Sequence, residues 1–364
     1  MKKVLVVGQT PPPYGGQAIS IALMLRGKYK AIKLQHVRMS FSKEMDQIGR
    51  VKIAKFFHLF NVIFQIFSQR ISGGARTLLY FPAGPNRFPI YRDIIVLLST
   101  RWLFSETIFQ FRAAGLHEIY PELNRLERFF FRLSYHKPDL AILLSPLLQQ
   151  DATSIDSKRI CVVPNGLDDQ GKSCVRENRS STTILFVGVI QESKGIFVLL
   201  DACKKLASNG LNFNVEIMGK FQCPEIKQQC FELIATAKLQ PYVTFLGVQK
   251  GEEKWQSFER ADILAFPSYF ESEAMPRAIL EAMHCGLPVV ATNWRGIPSL
   301  IRHEQNGLLI PTRDADALAQ ALAQLIKEPA KRLSLGENGR EIYESEFTAE
   351  CFWENMEQAL LPRL

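Results

Sequence analysis

Short runs of β-branched and apolar residues alternate along this chain with longer segments of helical period. In the first half, Val4–Gly8, Leu78–Phe81, Thr107–Phe111, Leu140–Leu144 and Ile160–Val163 predict strands. In the second half, Ile184–Val187, Asn214–Met218, Val243–Leu246, Ile263–Phe266, Val289–Ala291 and Gly307–Ile310 do the same. Helical periods fall between them, as at 195–208, 225–238, 277–285 and 315–327. Such alternation predicts an α/β protein with parallel sheets and helices on both faces. The polar stretch Asp169–Thr183 (DQGKSCVRENRSSTT) lacks an apolar period and separates the two series as a linker. Two domains with a ligand cleft between them are therefore expected. Thr348–Leu360 (TAECFWENMEQAL) reads as a final amphipathic helix with Thr348 as its N-cap.

A length of 364 residues suits two domains, and 47% apolar with 22% charged residues is enough for full cores, which excludes disordered and fibrous classes. The seven cysteines are odd in number and lack CxxC spacing. That opposes a disulfide framework or a zinc module and suits a reducing, cytoplasmic setting. Lys2 and Lys3 precede only the short run Val4–Val7 before Pro11-Pro12-Pro13, so no signal peptide is expected. The net charge of +8 is unevenly placed. Residues 1–170 hold 23 Lys and Arg against 12 Asp and Glu, and residues 171–364 hold 21 against 24. The first half is thus +11 and the second −3. The excess points to an anionic partner (nucleic acid, an acidic membrane surface or a phosphorylated substrate) or simply to a basic, soluble surface.

Residues 51–70, VKIAKFFHLFNVIFQIFSQR, refine the choice. Lys52, Lys55, His58, Asn61, Gln65 and Gln69 form one polar stripe at helical spacing, while Phe56, Phe57, Phe60, Ile63, Phe64 and Phe67 fill the rest. The lysines and His58 oppose a membrane-spanning role, at roughly 2.5–3.5 kcal/mol per central charge. The helix is read first as core, with docking on an anionic membrane surface as the alternative. Arg125 to Lys137 (RLERFFFRLSYHK) repeats the composition. No transmembrane helix is expected.

The richest chemistry lies in Phe266 to Val290, FPSYFESEAMPRAILEAMHCGLPVV. A strand ends near Phe266, a polar loop follows, and Pro276 is placed to open a helix as its first residue. Backbone N–H groups from Ala274 to Arg277 would then face the cleft, where they suit a phosphate or a sugar hydroxyl. Glu273 and Glu281 are eight residues apart, about 12 Å along one helix. That exceeds the roughly 5–9.5 Å of a glycosidase pair. From spacing alone, two solvated glutamates is the simpler reading. Asp314-Ala315-Asp316 has a metal-binding DxD form, but its place before helix 317–327 favours capping. The first loop lacks GxGxxG, and His284 beside Cys285 lacks metal-ligand spacing. No metal and no cofactor are expected.

Glu273-Ala-Met-Pro-Arg-Ala-Ile-Leu-Glu281 with Cys285-Gly286-Leu287-Pro288-Val289-Val290 resembles the EX7E signature of the family 4 retaining GT-B glycosyltransferases. Val163-Pro-Asn-Gly-Leu-Asp168, Phe186-Val-Gly188 through Lys194-Gly195, Phe245-Leu-Gly247, Ala261-Asp262 with Phe266-Pro267-Ser268, and Asn306-Gly307-Leu308 follow in that family's order. Pro11 to Gly16 (PPPYGG) resembles its first loop. The resemblance implies two Rossmann-like domains, an acceptor-side domain at 1–168 and a nucleotide-sugar domain at 183–346, with helix 347–364 returning to the first. It implies metal-independent, retaining transfer of a hexosyl unit from a UDP- or GDP-sugar. The acceptor would be a lipid-linked glycan in polysaccharide assembly (capsule or lipopolysaccharide), at the cytoplasmic face of the membrane, and nucleic acid would play no part. Glu281 would hold the ribose hydroxyls through charge-assisted bonds of roughly 1.5–3 kcal/mol each. Glu273, with the amides of Ala274 and Met275, would hold the donor sugar, and Lys194 the diphosphate. Gly15 and Gly16 would approach the donor phosphate, and Asn165, Pro276 and Arg277 would complete the donor site. Two positions depart from the family. Val189 stands where an arginine is usual, with Arg277 and Arg295 as substitutes, and Arg112 stands where a histidine is usual and would act in the catalytic site by contacting phosphate or acceptor, with His117 nearby. A catalytically weakened nucleotide-sugar-binding protein and a sugar-nucleotide epimerase are the alternatives.

Overall fold

The computed structural model describes residues 1–39, 53–169 and 181–361. It divides into two compact units, Met1–Gly166 with Ala349–Leu364, and Leu167–Thr348. Of the expected linker, residues 170–180 lie outside the described residues, and Thr182 already belongs to a strand. The boundary expected after Asp168 falls after Gly166 instead. Leu167 is tied to the second unit, its N–H donating to Phe347 O at 3.0 Å and its carbonyl accepting from Tyr343 Oη at 2.9 Å.

The first unit holds β1 (Lys2–Gly8), β2 (Ile32–Arg38), β3 (Thr77–Tyr80), β4 (Glu106–Gln110), β5 (Leu140–Leu143) and β6 (Ile160–Val162). They form a parallel sheet in the order β2-β1-β3-β4-β5-β6. Its helices are α1 (Gly16–Arg26), α2 (Ile53–Gly73), α3 (Arg87–Thr100), α4 (Leu116–Ile119), α5 (Arg125–Tyr135) and α6 (Gln149–Thr153). Parallel strands are covered on both faces, which is why β1 is apolar at consecutive positions. Leu5 and Val7 join the core under α2, α3 and α5, whereas Val4 and Val6 meet α1 and a helix at Ala349–Leu360. That last helix returns to the first unit: Trp353 Nε1 donates to Leu23 O at 2.9 Å, and Glu357 accepts from Ala31 N at 2.5 Å. The sequence reading omitted β2, an edge strand whose Lys33, Gln35, His36 and Arg38 break any apolar run.

Under α3 the buried Asp93 carboxylate organises a polar cluster. It accepts from Tyr80 Oη (2.7 Å), Tyr135 Oη (2.9 Å), Ala83 N (2.7 Å) and the Arg92 guanidinium (2.6 Å). Burial, with the Asp93 charge behind it, drives both phenols well above their ordinary pKa, so they stay protonated donors.

The core reading of residues 51–70 needs correction. Leu59, Val62 and Ile66 are buried, but Phe57, Phe60 and Phe64 stand 67–73% exposed. Residues at 100° per position cannot all face one sheet, so the wide phenylalanine surface splits between core and exterior. Lys52 lies outside the described residues. Among the described residues no helix is long and apolar enough to cross a membrane.

The second unit holds β7 (Thr182–Val187), β8 (Phe213–Met218), β9 (Val243–Gly247), β10 (Ile263–Phe266), β11 (Val289–Thr292) and β12 (Gly307–Ile310). Its helices are α7 (Ile196–Ser208), α8 (Pro224–Thr236), α9 (Gly251–Arg260), α10 (Arg277–His284), α11 (Ala315–Lys327) and α12 (Pro329–Glu346). The returning helix Ala349–Leu360 is α13. The strands are parallel in the order β12-β11-β10-β7-β8-β9. From β7 the chain winds one way to β9, and from β10 the other way to β12. The order therefore reverses between β7 and β10, and a crevice opens at the carboxyl ends of strands at such a point.

Candidate active site

Both loops leaving that reversal carry predicted residues. After β7 the chain makes a short turn ending at Lys194, and Gly195 caps α7 in the left-handed region at φ 81°. A Cβ at Gly195 would lie 2.2 Å from Pro267 O, so only glycine lets this turn close on the loop after β10. Tyr269 N donates to Ser193 O at 2.8 Å across the same gap. The β10 loop is pinned further by Trp294 Nε1 on Phe270 O (2.9 Å) and by Thr292 Oγ1 on Ser268 O. At Gly296 a Cβ would sit 1.6 Å from Ala274 O, so the 293–296 turn packs directly on the backbone beside Glu273.

Within this frame Lys194 Nζ lies 2.5 Å from Glu273 Oε2, which also accepts from Ser268 Oγ at 2.8 Å. Lys194 sits over the Phe270 ring at 4.5 Å from its centroid, an added cation–π contact. Glu281, one turn into α10, pairs with Lys254 Nζ at 2.6 Å and lies 3.9 Å from Arg277 Nε. The solvated reading of the two glutamates is overturned: Glu273 is 7% and Glu281 5% exposed. Burying a carboxylate is costly without a partner, and each has a lysine. Ala274, Met275 and Pro276 are buried beside them. Pro276 does not open α10 as its first residue. It is the N-cap, with ψ 124°, and the helix begins at Arg277. Arg295 stacks on Trp294 at 5.0 Å, and Val189 stands 36% exposed after Gly188.

The remaining predicted residues belong to the first unit. Arg112 donates to Asn165 Oδ1 and lies between the rings of Phe81 and Phe352, 5.8 Å from each. His117 Nδ1 is 2.7 Å from the buried Asp151 carboxylate. Gly15 is the N-cap of α1 in extended conformation, φ −92°, and Gly16 starts the helix. Neither adopts a positive φ, so glycine there is not required by the backbone. Asp314 caps α11, accepting from Ala317 N at 2.8 Å, and Asp316 pairs with Lys205 at 2.7 Å.

Two site residues escaped the sequence reading. Ser268 was noted only as part of a motif, and Lys254 sits in GEEKWQSFER, where local pattern cannot distinguish it from a solvated lysine. Only the packing of α9 beside α10 through Trp255 and His284, 5.4 Å between centroids, brings it to Glu281.

His284 closes α10 and is a packing residue. Its ring meets Trp255 and Tyr343, and Arg340 Nη1 is 2.7 Å from Nδ1. Burial first, and then the Arg340 charge, lower its pKa to about 4. The unfolded chain therefore binds the extra proton between about pH 6.5 and 4. The resulting stability is complete above 6.5 and is lost as pH falls towards 4. His284 alone should cost about 2 kcal/mol of folding stability between pH 7 and pH 5. Urea titrations of wild type and His284→Gln at both values check this. An equal pH dependence in the two proteins would refute it.

Residues 173–342 match the family described as Glycosyl transferases group 1. The chain is 33% identical over 181 residues to the amylovoran biosynthesis glycosyltransferase AmsK of Erwinia amylovora, covering 49% of this chain and 44% of that one. It thus spans less than half the length of that relative. Sucrose-phosphate synthase from Thermosynechococcus elongatus superposes with a TM-score of 0.77 at 19% identity over 98% of both chains. Anabaena Alr3699/HepE in complex with UDP-glucose does so with 0.70 at 15% identity over 99% of both. Two six-stranded parallel sheets and a last helix returned to the first unit give this chain the GT-B fold, and residues 173–342 are similar to the glycosyl transferases group 1 family.

Proposed function

We propose that the protein is a retaining, metal-independent glycosyltransferase of the EX7E type. It would transfer a sugar from a nucleotide diphosphate sugar to a lipid-linked glycan during polysaccharide assembly at the inner face of the cell membrane. The observation that carries this reading is the pair of buried carboxylates, Glu273 and Glu281, each matched to one lysine in the second unit. In this reading Glu281 accepts from the ribose hydroxyls, and Lys254 and Arg277 hold its carboxylate in place. Glu273 and the amides of Ala274 and Met275 hold the donor sugar, with Pro276 fixing where α10 begins. Lys194 neutralises charge on the departing diphosphate. Arg112, which donates to Asn165 Oδ1, would contact phosphate or acceptor, and Gly15 and Gly16 would let the backbone approach a phosphate. The UDP-glucose bound by Alr3699/HepE supports the donor class, and the similarity to AmsK and to the capsular polysaccharide biosynthesis glycosyltransferase CapM of Staphylococcus aureus supports the setting.

Calorimetric titration with UDP-, GDP- and ADP-sugars tests it. One donor should bind, and Glu281→Ala should weaken it by about 2–3 kcal/mol, roughly 30–150-fold, for lost charge-assisted bonds. Unchanged affinity in the variant would remove Glu281 from the donor site. Binding without donor hydrolysis or transfer would instead favour the non-catalytic reading suggested by Val189.

A further inference from the structure

The chemistry above leaves unused the outer surface of the layer formed by α2, α3 and α5. Each of these helices has an inner face in the core and an outer one that is also apolar. On α2, Phe57, Phe60, Phe64 and Ile71 recur on a single stripe opposite the buried Leu59, Val62 and Ile66. On α5, Leu126, Phe129 and Leu133 are 60–66% exposed, while Phe131, Ser134 and Tyr135 are buried. Between them, α3 touches both neighbours and adds the exposed Phe88. Trp102, 68% exposed, meets Phe67 edge-on at 6.0 Å. Exposed apolar surface on this scale marks an interaction site.

The charge around it selects the partner. From residue 53 to residue 105 there are six Lys and Arg; Arg92 is paired with the buried Asp93, the single acidic residue of the stretch, which leaves five basic residues and no exposed acid. On α5, Arg125 and Arg132 are exposed beside the apolar side chains. The acid of that helix, Glu127, is occupied by Asn124 N at 2.7 Å and by Tyr91. Aromatic and aliphatic side chains rimmed by arginine, with no exposed acid over α2 and α3, match the interfacial zone of an anionic bilayer.

We propose that the outer face of α2, α3 and α5 docks the protein on an anionic lipid bilayer. The inference rests on the lipid-linked acceptor proposed above, which such docking would bring to the first unit. Flotation of the full chain with vesicles of phosphatidylglycerol and phosphatidylcholine, or of phosphatidylcholine alone, tests it. Wild type should float with the anionic vesicles at low salt, and less at about 0.5 M salt, where surface charge is screened. The Phe57→Ser/Phe60→Ser/Phe64→Ser variant should lose at least about tenfold in partition. Arg125→Gln/Arg132→Gln should lose only the preference for anionic vesicles. Both variants should keep wild-type hydrogen-exchange protection of the β3 and β4 amides, which shows that the first unit folds, and wild-type nucleotide-sugar affinity in the second. The proposal is overturned if wild type does not float at low salt, or if the phenylalanine variant floats equally well. It is also overturned if that variant merely converts an oligomer to a monomer with flotation unchanged, since a second copy would then cover the face. Loss of donor binding with flotation intact would sink the transferase reading and leave docking standing.

Discussion

Lys194→Ala is expected to lower turnover of the donor about 10²–10³-fold, with a smaller change in its KM. The lysine sits at the carboxyl edge of the strand-order reversal, held by Glu273 at 2.5 Å and by the Phe270 ring at 4.5 Å. A cation fixed in that way needs no reorganisation when negative charge develops on a leaving diphosphate, so its contribution falls on the transition state. Removing it also leaves Glu273 buried without its counter-ion, which costs stability on its own account. Lys194→Ala/Glu273→Gln separates the effects, because it relieves the orphaned carboxylate without restoring the cation. Hydrolysis of the nucleotide sugar followed by released nucleotide gives the readout. A wild-type kcat in Lys194→Ala would reduce the lysine to a structural partner of Glu273.

Asp93→Ala should destabilise the first unit by about 3–5 kcal/mol. The carboxylate is fully buried and accepts from two phenols, one backbone N–H and a guanidinium. Alanine would leave all of them without this acceptor, and water cannot reach them at no cost. Hydrogen exchange at the β3 and β4 amides would report the loss locally, apart from any change in the second unit. Protection equal to wild type would show that the donors find other partners. Asp93→Asn, which keeps one acceptor oxygen, should fall between the two.

Much of the second unit was legible because its information is local. Its central strands β10 and β11 are buried on both faces and read as short continuous apolar runs, and the Glu273–Glu281 stretch lies in one segment. The first unit was less legible. β2 is an edge strand, half polar, and its place beside β1 comes from the crossover through α1. The helix at 53–73 has apolar residues on opposite sides, and periodicity alone cannot say which side meets the sheet.

By itself the sequence determined the α/β alternation, the asymmetry of charge and the capping role of Asp314. Those follow from spacing and side-chain type within a few turns of chain. Tertiary structure alone decided that Glu273 and Glu281 are buried, that Lys254 is the partner of Glu281, and that Phe57, Phe60 and Phe64 face outward. Burial and pairing depend on which element packs against which, and Lys254 and Glu281 are separated by a whole strand and loop. No local period records that contact, because it exists only once β10 lies in the sheet and α9 packs beside α10.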